Sequence, residues 1–148
     1  MLWRAAVLAV SLHVALSGAG AAPGGACKKA EFEAVVDDAA AALRDLNLDN
    51  KPKFQDKLRQ LKDKRGWSHD QFLELAAPFV SDDEISVFDR KSADLLTEIS
   101  SLGQEGAEAK TPDCGLLLEL RARMKLLVET QTAKWSYMFD KIEKELWK

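Results

Sequence analysis

Two cysteines stand far apart in this chain, and the second opens the stretch Cys114-Gly115-Leu116-Leu117-Leu118. Three chemistries are open to such a thiol. A helix N-terminus lowers a thiol pKa, so Cys114 at the mouth of a helix is a candidate nucleophile. A cysteine beside histidine and carboxylates could ligate a metal. Two cysteines in an exported chain can instead close a disulfide. The sequence holds no Cys-x-x-Cys, and His69 is the one histidine beyond the N-terminal apolar run. A Cys27–Cys114 disulfide is therefore the expectation. It would close a loop of about 87 residues and set the two segments that begin at these cysteines parallel.

The carboxylates offer three further candidates. Asp45, Asn47, Asp49 and Asp56 fall at positions 1, 3, 5 and 12 of a calcium loop. Asn50 stands where that loop needs glycine, and Lys51, Pro52 and Lys53 follow, so a polar turn is expected there instead. His69 has Asp70 beside it and Glu74 one turn on, a set that fits a surface cap better than a metal site. The run Asp82-Asp83-Glu84 suits the first turn of a helix, where acids complement the dipole. No catalytic residues, cofactor or metal are expected.

These residues need elements to hold them. The first, residues 1–21, reads as a cleaved export signal: Arg4, an apolar run from Ala5 to about Leu16, then Ala19-Gly20-Ala21. Residues 22–148 then form a single domain, exported to a periplasm or the extracellular space, with no later segment apolar enough to span a membrane. Without Arg4 the 21 basic residues become 20 against 24 acids, about −4 net. Acids and bases alternate along the chain with no basic stripe, which argues against nucleic acid as a partner.

Apolar residues recur at spacings of three and four, the period of amphipathic helices, and no stretch alternates in the manner of a strand. The spacing predicts a first helix from about Lys28 to Leu46, a turn at 47–51, and a second helix opened by Pro52 and ended by Gly66. Ser68-His69-Asp70-Gln71 is a capping box for a short third helix that Pro78 interrupts. Ser81 to Glu84 reads as another box, opening a fourth helix that Gly103 stops. A loop follows to Asp113. A long last helix then runs to the C-terminus. The fold class is all-α, a small four- or five-helix bundle with a long C-terminal helix.

That last helix would reach about 50 Å, against about 28 Å for the first. Its far end carries Trp135, Met138, Phe139, Ile142, Leu146 and Trp147. The mismatch makes these six the candidate residues for binding a partner, and a non-enzymatic helical interaction protein is the expected function. One alternative is a carrier holding a small apolar ligand among Met124, Trp135 and Met138. Another is a thiol-based enzyme or redox protein, which requires Cys27 or Cys114 to be free.

Overall fold

The computed structural model describes residues 27–111 and 113–148. The expected export signal of residues 1–21 lies outside the described residues, as does Pro112. Four α-helices follow one another: α1 (Lys29–Arg65), α2 (His69–Leu75), α3 (Asp83–Glu108) and α4 (Cys114–Trp147), with a 3-10 turn at Ala77–Phe79.

The first correction is at Pro52. The two helices expected on either side of it are one helix of 37 residues. The apolar stripe explains this: it passes from Phe32, Ala39 and Leu43 to Phe54, Leu58 and Leu61 without losing step. Polar residues 47–51 continue the helix rather than turn it. Asn50 donates its side-chain amide to the Leu46 carbonyl at 2.8 Å. Pro52 faces solvent, so the Leu48 carbonyl that it leaves without an N–H is on the side where water can reach it. Gly66 then ends α1 as expected, at φ 63°, and the Trp67 N–H bonds back to Lys62.

The expected cap at Ser68 is present. Its hydroxyl accepts the Gln71 N–H at 3.3 Å, and the Gln71 side chain accepts the Ser68 N–H at 2.9 Å. The cap of α3 is one residue later than expected. Asp82, not Ser81, accepts the Ile85 N–H, because other groups already hold its carboxylate in place. Nor does Gly103 stop α3, which runs on through Gly106 to Glu108. At Gly106 the helix backbone lies against the Phe32 ring, and this contact carries α3 into the region expected to be a loop.

A disulfide joins Cys27 to Cys114, whose Cα atoms are 5.1 Å apart. At the other end Lys64 donates to the Leu146 carbonyl, so α1 and α4 run side by side in the same direction. Along α3 the partners on α4 run backwards: Asp89 meets Lys134, Ser92 meets Gln131 and Glu98 meets Arg123. Helix α4 is thus packed along both α1 and α3, while α1 and α3 touch over a shorter stretch. With 37 and 34 residues, α1 and α4 are about 55 and 51 Å long, so the expected length mismatch does not exist.

The buried residues form two cores in series. Phe32, Leu95, Ile99, Leu117, Leu120 and Met124 build the one near the disulfide. Phe54, Leu61, Phe79, Ile85, Met138 and Ile142 build the other, over which the 3-10 turn and the flanks of α2 fold back. A polar waist divides them. There Gln131 donates to the Ser92 hydroxyl at 2.7 Å, and the Trp135 indole donates to the Asn47 side-chain oxygen at 3.1 Å. Each buried polar group thereby keeps a partner in a low-dielectric setting.

Candidate functional site at the far end of the bundle

The six residues expected to bind a partner lie on the last four turns of α4, and packing divides them. Met138 and Ile142 are buried in the second core, with Trp135, Phe139 and Leu146 half-buried against it. The Phe54 ring, projecting from α1, meets Phe139 edge-on at 5.5 Å and Trp135 at 5.9 Å between centroids. Such edge-to-face pairs add to the gain from burial. Trp147 alone stands out, 88% exposed on the final turn.

The base beneath Trp147 is well held. Lys64 donates to the Leu146 carbonyl at 2.6 Å, and Arg65 donates to the Glu145 carbonyl and pairs with its carboxylate at 3.1 Å. Cations thus satisfy the last carbonyls of α4, where the helix dipole is negative. Lys57 pairs with Glu143 at 2.9 Å one turn earlier. The Glu145 carboxylate is held below its ordinary pKa, first by Lys148 and also by Arg65. Trp147 forms the ridge between two open grooves. Lys57, Gln60, Lys64 and Glu143 line one of about 440 Å³. Tyr137, Asp140, Lys141 and Lys144 line the other, of about 550 Å³.

Beside the second groove lies a cluster that sequence inspection missed. Asp82 accepts the Ile85 N–H and the Tyr137 hydroxyl, each at 2.8 Å, and forms an ion pair with Lys141. Lys141 also donates to the Pro78 carbonyl at 2.6 Å and lies over the rings of Phe79 and Tyr137. The Ile85 N–H above all, and Lys141 next, lower the Asp82 pKa to about 2. Donating to that carboxylate raises the Tyr137 pKa above its ordinary 10.0. The carboxylate is therefore ionised and the phenol protonated at neutral pH, which makes the trio a latch between α4 and the start of α3. The one sequence signal was Tyr137 and Lys141 at a spacing of four on α4. Their partner is 55 and 59 residues away.

The other candidates are dispersed. Asp45, Asn47, Asp49 and Asp56 lie along the continuous α1, where Lys53 pairs with Asp49 and Arg59 with Asp56, so no calcium loop forms. His69, Asp70 and Glu74 are exposed on α2. Among the described residues no group of three side chains could hold a metal, and no cysteine is free. Met124 belongs to the first core and Met138 to the second, with Trp135 at the waist between them. A further apolar groove, of about 540 Å³, runs between α1 and α3 over Phe32, Val36, Gly103 and Leu120.

Comparison with known proteins finds no matching family model, no matching curated protein and no matching solved structure.

Proposed function

We propose that this chain is an exported, non-enzymatic interaction protein that docks its partner with the end of the bundle bearing Trp147. One observation carries the proposal: an indole stands almost fully in water on a base fixed by Lys64, Arg65 and the aromatic core. An aromatic anchor on a rigid base loses little freedom on binding, which is what gives such residues their weight at interfaces. The neighbouring reactive groups support a non-enzymatic role, since Asp82, Tyr137 and Lys141 satisfy one another and the two thiols are joined. The disulfide favours an oxidising compartment.

The test is a photoreactive phenylalanine analogue at position 147, with the same group at the half-exposed Val87 of α3 as control. Adducts formed in the native host from position 147 and not from 87 are the expected result. Equal yields from both positions would overturn the proposal. An intact mass of the host-exported protein, alkylated without reduction, checks the compartment: it should begin near Ala22 and carry no alkyl group.

A further inference from the structure

The end of α4 carries a second stripe, apart from the one that faces the core. Tyr137, Asp140, Lys144 and Trp147 follow one another at spacings of three, four and three, the repeat of a helix seam that pairs with another helix. All four line one open groove of about 550 Å³, whose walls expose more apolar than polar surface. Asp140, Lys144 and Trp147 are exposed, and Tyr137 is half-buried at the border of the core. Residues 140–148 hold three acids and three bases, so this face is neutral. Most of its charges are already matched: Lys141 pairs with Asp82, Glu143 with Lys57, and Glu145 with Arg65 and Lys148. Among the described residues Asp140 and Lys144 form no ion pair, although they stand one turn apart.

We infer that the partner docked by Trp147 is a second copy of this chain, with the last turns of two α4 helices laid antiparallel about a two-fold axis at the level of residue 142. That axis sets Asp140 of each copy against Lys144 of the other. The same axis sets Trp147 of each copy against Tyr137 of the other, so one register serves both contacts. A two-fold interface demands this reciprocity, in which residue i meets j and j meets i. The free acid, the free base, the aromatic knob and the aromatic wall of the groove are all on one face, which makes the face complementary to itself. The Tyr137 ring is a fixed wall, since its hydroxyl is bonded to Asp82 at 2.8 Å. An indole laid against it gains an aromatic pair beyond the area it buries. The charged residues in the seam set register and partner more than strength. Residues 137–147 span only about 15 Å. The dimer is therefore weak and reversible, in the class of interfaces under about 1,200 Å².

The inference rests on the reading that Trp147 marks the docking end, and one set of measurements separates the two. Sedimentation equilibrium of the exported, oxidised protein over about 10 to 300 µM should show the average mass rising from monomer towards dimer. Trp147→Ala, Asp140→Lys and Lys144→Asp should each weaken the dimer roughly tenfold or more, with helix content unchanged. Mixing the Asp140→Lys protein with the Lys144→Asp protein should restore it, because the mixed pair again sets acid against base at both contacts. Leu118→Ala, an exposed change on α4 near the disulfide, should leave the dimer as it was. A protein that stays monomeric, a dimer indifferent to Trp147→Ala, or a mixture no tighter than either charge variant alone overturns the self-docking inference. If the protein stays monomeric and position 147 still cross-links to a different protein in the host, self-docking falls and the docking end stands. If it stays monomeric and position 147 gives no adduct, both fall.

Discussion

The Phe32 ring occupies the space that a side chain at position 106 would need. A Cβ added to Gly106 would lie 2.8 Å from two ring carbons of Phe32, which is itself buried. Gly106→Ala should therefore destabilise the protein by about 1–3 kcal/mol despite alanine's better helix propensity. Gly103, one turn earlier, has nothing within 4 Å of its added Cβ. Gly103→Ala should stabilise by roughly 0.5–1 kcal/mol. Urea unfolding of the two variants reads both signs, and a shift in the same direction for both would show that Phe32 does not constrain position 106.

Reducing the Cys27–Cys114 bond, or replacing both residues by serine, should lower stability by about 4–5 kcal/mol on chain-entropy grounds. The loss should begin at one end. Amide exchange is expected to accelerate first over residues 28–40, which border the bond, and last around Phe54 and Ile142. Uniform acceleration along α1 would mean that the two cores open together.

Acid should release the Asp82 latch. The folded state holds this carboxyl at about 2, below its ordinary 3.8, so folding favours the ionised form. Its contribution is complete above about pH 4 and is lost as the pH falls towards 2. In Asp82→Asn no proton is taken up there, so the variant should be less stable than the parent at pH 6, and the gap should narrow between pH 4 and pH 2. Melting temperatures across that interval check it. A constant gap would place the value of Asp82 in its shape and not in its charge.

Pro52→Ala should stabilise α1, by about 1–3 kcal/mol, by restoring the N–H that Leu48 lacks. Urea midpoints measure the gain. A loss instead would mean that α1 needs the bend or the stiffness that the proline imposes on it.

Features made by neighbours in sequence were legible before the structure. Ser68 and Gln71 cap each other three residues apart, Gly66 ends α1, and the stripe of α4 names its own buried residues. The disulfide followed from parity and compartment. What could not be read depended on distant partners. Pro52 and Gly106 look like breakers alone, but each sits in a helix whose stripe is held by α4 or by Phe32. Asn47 looks like a turn residue until Trp135 is seen to bond it.

The parallel run of α1 and α4 also sets an order of assembly. Contacts of α3 with α4 join residues 25 to 45 positions apart, whereas those of α1 with α4 join residues 80 to 88 apart. Shorter loops close at lower entropic cost, so the α3–α4 hairpin forms first and α1 joins it afterwards. Synthesis runs the other way. Among the described helices α1 emerges first, carries the apolar stripe of both cores and finds no lasting partner until α4 arrives. For that interval Phe32, Phe54 and Leu61 are open to water, to chaperones and to one another on neighbouring chains.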